Sequence, residues 1–337
     1  MNYEIIGITV LWTFLYGYVI IASVDFGAGF YNFYAKATGK SNIITPIITR
    51  YLNPVWEVTN VFFVFFFVGI VGFYPETAYY YGTTLLIPAS IALILLAIRG
   101  SYYAFNQYSK DSNIVWAFLY GSTGLLIPAA LSITLVISEG GFIEEKFGGI
   151  DLNITELLFS QYAWSVVFLA IISVLYISSA FLTFYANRAR AFQAVEVIRK
   201  WFLTWTIPML AISQFVFLGL RTNNEAHFLN AQNYWYLFGL SLMFMGIAVY
   251  LIYKGRNYGM AFIMVMLQFF CAFFGYGMSK LPYILYPYVK IDSVVNEAMA
   301  FWLTVVFILG LLLLVPSLIM LMRMFLFDKD YVQGKEN

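Results

Sequence analysis

The run ITVLWTFLYGYVIIASVDFGAGFYNFY, residues 8–34, is apolar for longer than a bilayer is thick, yet carries an acid, Asp25, well inside it. About twenty apolar residues suffice to cross a membrane as helix. A carboxylate at such depth costs roughly 2.5–3.5 kcal/mol on insertion scales, so its retention points to a pathway, a partner charge or a ligand. A second acid, Glu57, follows in Asn53-Pro54-Val55-Trp56-Glu57-Val58-Thr59-Asn60, at the start of the next apolar run.

The rest of the chain repeats the pattern. Hydrophobic residues make up 62% and charged residues 10% of 337, and the mean hydropathy is +0.81, too apolar for a water-soluble fold of this length. Apolar runs fall at about 4–34, 54–74, 78–98, 114–137, 162–186, 201–220, 234–253, 258–278 and 299–326. Helices satisfy their own backbone hydrogen bonds in lipid, and barrel strands would alternate over short segments. The expected fold is therefore an all-α integral membrane protein with nine transmembrane helices. The connections are short and leave no room for a soluble domain, so residues 1–337 read as a single membrane domain. No cleavable leader is expected, because no Lys or Arg precedes the first span and no small-residue cleavage site follows a short apolar core.

Loop charge sets the orientation. Of the eighteen Lys and Arg residues, fourteen lie in the loops at 35–53, 99–113, 187–200 and 254–257 or in the tail from Arg323; the other side holds Lys146, Arg221, Lys280 and Lys290. By the positive-inside rule the N-terminus is extracellular and the C-terminus cytoplasmic, in the cell membrane. The external loop at 138–161 is acidic, with Glu139, Glu144, Glu145, Asp151 and Glu156. Tyr74, Tyr79, Tyr80 and Tyr81 read as an aromatic belt at the external interface.

This topology brings Asp25 and Glu57 to the membrane from the cytoplasmic side. Gly27 and Gly29, with Ser23, offer a small-residue face for close helix packing. Asn60 lies three residues from Glu57 and shares its face, and Trp56 anchors the helix end. Each acid alone also reads as an interfacial charge paired with Arg50 or Arg99. Together they suggest a proton-conducting or ion-pair site, with Arg99 pairing and with Asn60 and Ser101 binding water.

Pro88, Pro128, Pro208 and Pro316 are expected to kink their helices. The similarity of Gly82–Ser90 to Gly121–Ala130 raises an inverted repeat. His227, the only histidine, falls in an external loop and reads as a surface residue. Cys271, the only cysteine, reads as a small buried hydrophobe. No catalytic residue, metal site or axial haem ligand is assigned to this chain, and no nucleic-acid partner is expected.

Asp25-Phe26-Gly27-Ala28-Gly29, Pro54-Val55-Trp56-Glu57 with Asn60, Arg99-Gly100 and Pro282-Tyr283-Ile284 together resemble subunit II of the cytochrome bd quinol oxidases, in the shorter form of Gram-positive bacteria. Ala22 stands where many members have a further Asp, and Glu57 where many have Asp. The resemblance implies two four-helix bundles plus a peripheral helix. It also implies a haem-bearing partner, subunit I, that holds two haems b and haem d, oxidises quinol and reduces oxygen to water. A small single-helix subunit and membrane lipids complete the implied partners. The alternative left open by the residues is a proton-coupled secondary transporter; a third reading is a scaffold whose acids only pair with arginines.

Overall fold

The computed structural model describes residues 3–106, 114–146, 149–292 and 297–325, and within these it leaves out the side chains of 51–59, 103–106 and a few residues at segment ends. The described residues are helical, apart from two short hairpins and the turns between elements. The first span becomes α1 (Tyr3–Ala37), and a tight turn leads to α2 (Ser41–Phe73). The predicted loop at 35–53 is therefore mostly helix. The polar Ser41, Asn42 and Thr45 do not stop a helix that packs its buried Ile44, Ile47 and Ile48 against the core.

The predicted span at 78–98 is broken. It forms α3 (Glu76–Thr84) and α4 (Leu86–Asn106), bent by 72° at Leu85. Pro88 lies in the first turn of α4, where its missing N–H removes no helical bond, so it opens a helix rather than kinking one. The sequence echo is thus not a structural one: Gly82–Ser90 straddles this break, whereas Gly121–Ala130 is continuous helix inside α5 (Ile114–Ser138).

Beyond α5, strands β1 (Ile143–Lys146) and β2 (Gly149–Leu152) pair antiparallel, and α6 (Ile154–Phe159) follows. α6 and α7 (Gln161–Arg188) are capped by side chains: Asn153 accepts from the Glu156 amide, and Ser160 from the Ala163 amide. Such caps satisfy backbone donors that a helix start leaves orphaned. Then come α8 (Phe192–Asn223), α9 (Glu225–Gln232), α10 (Trp235–Lys254) and α11 (Tyr258–Lys280). A second hairpin, β3 (Tyr283–Leu285) with β4 (Val289–Lys290), precedes α12 (Glu297–Phe325). Gly255, at φ +69°, closes α10 in the left-handed conformation that glycine adopts at least cost.

Among the described residues, seven helices are long and apolar enough to cross a membrane, or eight if α3 and α4 form one bent span. The predicted 54–74 span is the second part of α2. Its described apolar stretch is Asn60–Phe73, so the described residues account for seven or eight of the nine expected spans.

α1 and α7 form the centre. α1 packs on α2, α5, α7 and α12, and α7 packs on α5, α8 and α11. Small side chains let the two central helices close together: a Cβ on Gly27 would run into Ser178 and lie 2.8 Å from the Val174 carbonyl oxygen. Ser178 in turn donates to the Val24 carbonyl at 3.0 Å, and the Tyr31 hydroxyl donates to the Leu175 carbonyl at 2.8 Å.

At the end of the bundle that carries both hairpins, two expectations are corrected. Tyr74 is not an interfacial ring. It is fully buried, and its hydroxyl donates to the Glu4 carbonyl across α1. His227 is not a loop surface residue either: it sits on α9 and is 5% exposed. Its partner Glu139, also buried, lies 88 residues away in the chain. A short polar segment reads as loop when the groups that bury it are so distant in sequence.

Candidate functional site

Asp25 lies in the last third of α1, beside the first turns of α5 and the second half of α4. Its side chain is 1% exposed and that of Arg99 0%. Arg99 Nη2 lies 3.0 Å from Asp25 Oδ2 and donates also to the Asp25 carbonyl at 3.0 Å, while Nη1 donates to the Tyr120 carbonyl at 2.9 Å. The Tyr120 hydroxyl donates to Asp25 Oδ1 at 3.3 Å. The guanidinium is stacked 3.8 Å from the Tyr120 ring centroid and 5.0 Å from that of Phe26. A planar guanidinium can accept both a ring face and in-plane hydrogen bonds at once, which an ammonium cannot do equally well.

Two glycines make room for this pair. A Cβ on Gly29 would meet the Tyr120 ring at 2.8 Å and Arg99 Nη1 at 3.2 Å; one on Gly124 would meet the Phe26 carbonyl oxygen at 2.5 Å and Nη1 at 3.1 Å. Close helix approach and a buried charge pair are therefore one construction. Arg99 Nε is buried with no protein partner among the described residues, leaving its N–H for another acceptor.

Of the residues expected at this site, the structure brings together Asp25, Arg99, Gly27 and Gly29. Ser101 is not with them: it is exposed and donates to the Ala97 carbonyl of its own helix. Asn60 is half-buried on α2, and the Trp56 and Glu57 side chains lie outside the described residues.

Two participants were missed, Tyr120 and Asn32. Asn32 is 4% exposed, seven residues after Asp25 and so on the same helix face. It accepts from Thr45 Oγ1 at 2.9 Å, and Thr45 meets Ser41 Oγ at 3.1 Å. That polar ladder leads from the turn between α1 and α2 to within two helical turns of Asp25. The i, i+7 spacing of Asp25 and Asn32 was visible in the sequence; the approach of Tyr120 was not.

The donor set does not fit a haem held by this chain's histidine. Both ring nitrogens of His227 are engaged, Nδ1 with Glu139 and Nε2 with Ser279, each at 2.8 Å. Among the described residues no group of three or more His, Cys, Asp or Glu is placed to hold a metal ion.

With this geometry in view, the family model "Cytochrome bd terminal oxidase subunit II" matches residues 3–325. The chain belongs to that family. It is 34% identical, over 98% of both chains, to a protein of Bacillus subtilis (strain 168) described as a putative cytochrome bd menaquinol oxidase subunit II. It is also similar to a chain in the structure of bd oxidase from Geobacillus thermodenitrificans, at 52% identity and a TM-score of 0.85, covering 97% of this chain and 100% of that one. As a cytochrome bd subunit II, the chain is one component of a haem-containing respiratory terminal oxidase, with a subunit I as partner. Family membership favours an oxidase subunit over a secondary transporter for the chain as a whole.

Proposed function

We propose that this chain supports a haem-bearing subunit I that oxidises quinol and reduces oxygen to water, and that it contributes a cytoplasmic proton entrance at Asp25. The haems b and haem d belong to the partner, since this chain's histidine is committed elsewhere. The arrangement is two four-helix bundles with α12 peripheral, the N-terminus outside, and an added single-helix subunit and lipids in the assembled complex.

The observation that carries the entrance is the line Ser41, Thr45, Asn32, followed two turns deeper by Asp25 paired with Arg99. Hydroxyl and amide groups have capacity to bond water as well as one another, and a carboxylate is a residue type that exchanges protons with water so held. Arg99 pairs with Asp25 and, with Tyr120, orients it. Glu57 enters the same reading through its sequence position.

A second reading is favoured by the pair itself: a buried ion pair with 0% and 1% exposure also serves as a lock between α1, α4 and α5. Oxygen consumption by the purified complex separates the two. The charge-balanced Asp25→Asn/Arg99→Met and Glu57→Gln are expected to slow turnover several-fold, with haem spectra unchanged and most of the yield retained. Full turnover in both variants would defeat the entrance, and loss of haem would assign the pair to assembly.

A further inference from the structure

The second buried charge cluster lies at the hairpin end, away from Asp25. α5 connects the two. Tyr120 touches the Asp25 pair, and Glu139 follows the last turn, nineteen residues later, or about 28 Å along a helix. Five elements converge on Glu139. Its Oε2 accepts from Asn224 Nδ2 at 3.1 Å and faces His227 Nδ1 at 2.8 Å; its Oε1 lies 3.1 Å from Lys280 Nζ and accepts from the Tyr276 hydroxyl. Tyr162, at the start of α7, and Tyr81 of α3 flank the cluster, and Lys280 donates to Ser138.

We propose that this cluster is a proton-binding site, with His227 as the group that gains and loses the proton. Glu139 and Lys280 form an ion pair that is neutral as a unit, and four donors surround the carboxylate. Tyr81, Tyr162 and Tyr276 titrate, when free, far above neutral pH. Arg221 of α8 and Glu225 of α9, the nearest charges in sequence to His227, are exposed. His227 is thus the one member of the cluster whose ordinary range lies near neutral pH.

Its second nitrogen is wired for both states. Ser279 Oγ lies 2.8 Å from His227 Nε2 and 2.8 Å from the Tyr276 carbonyl oxygen. With the ring neutral and Nδ1–H donating to Glu139, the Ser279 hydroxyl donates to Nε2. With the ring protonated, Nε2–H donates to Ser279 Oγ, whose own hydrogen turns to the Tyr276 carbonyl. Every polar group stays bonded in either state, and only one hydrogen rotates. A histidine serving as a fixed structural strut would need only one of these arrangements. Bulk water supplies and receives the proton, through the side where the Lys280 side chain retains 9% exposure. The inference does not rest on the Asp25 reading.

The test is a pH titration of the intact purified complex by infrared difference spectroscopy, subtracting a His227→Gln complex from the wild type. Because His227 is the chain's only histidine, partner histidines cancel in the subtraction. The expected result is a reversible imidazole-to-imidazolium change between about pH 5 and pH 8. Ser279→Ala removes the switchable hydroxyl. A buried charged N–H without a partner costs more than an unpartnered lone pair, so the midpoint is expected to move to lower pH by on the order of one unit. A wild-type difference spectrum that stays constant across that range overturns the proposal and makes the cluster a fixed clamp. Should His227→Gln fail to assemble, the Ser279→Ala complex decides by itself: a displaced midpoint supports the site, and a spectrum identical to wild type overturns it.

Discussion

Removing the Arg99 guanidinium alone strands a carboxylate that is 1% exposed, with one tyrosine hydroxyl left to bond it. Breaking one side of a buried pair typically costs ~3–5 kcal/mol, whereas replacing both charges is close to neutral. Arg99→Met should therefore lower the thermal midpoint and yield of the complex sharply, and Asp25→Asn/Arg99→Met should recover most of the loss. Equal damage in the single and double variants would show that Arg99 is held by its ring and carbonyl contacts rather than by Asp25. Glu139 gives a pH prediction. Burial pushes its carboxyl up, but the Lys280 ammonium and the His227 and Tyr276 hydrogen bonds outweigh burial and hold it at about 2, below the ordinary 4.5. A depressed carboxylate stabilises the fold fully above 4.5, and the contribution is lost as pH falls from 4.5 through 2, by ~3 kcal/mol in all. Thermal midpoints measured across that window should fall for the wild type. Glu139→Gln should start lower at neutral pH and show a flatter decline.

At the scale of elements, glycines that set the approach of α1 to α5 and α7 are expected to respond to substitution with the opposite sign to a glycine that has open space around it. Gly124→Ala drives a methyl into the Phe26 backbone, which cannot give way without moving α1, so loss of assembled complex is expected. Gly246, inside α10, has open space around its would-be Cβ. Gly246→Ala should leave the midpoint unchanged or raise it by the ~0.5–1 kcal/mol that alanine gains over glycine in a helix. The same contrast explains what was legible in the sequence. Helical spans, the acid in α1 and the small residues beside it are local patterns, set by hydrophobic length and residue size, and they could be read from single stretches. The break at Leu85 could not, because the tyrosines before it and the aliphatic residues after it read as one continuous run, and Pro88 suggests a kink three residues too late. Nor could the burial of His227 and Tyr74, since each depends on a partner brought in from a distant part of the chain. Ser101 failed for a simpler reason: two residues past Arg99, it points to the other side of α4.

For the whole molecule, orientation determines whether the Asp25 ladder opens to the cytoplasm. Fourteen of eighteen basic residues on one side predict that the α10–α11 turn is cytoplasmic and the β1–β2 hairpin external. Both places offer exposed residues, Arg256 and Glu145, and the chain's single native cysteine, Cys271, is buried and supplies little background. Glu145→Cys should react with a membrane-impermeant maleimide on intact cells, and Arg256→Cys only after the membrane is opened. The reverse pattern would place Ser41, Thr45 and Asn32 on the external side. The ladder could not then draw cytoplasmic protons, and the Glu139–His227 cluster would become the group facing them.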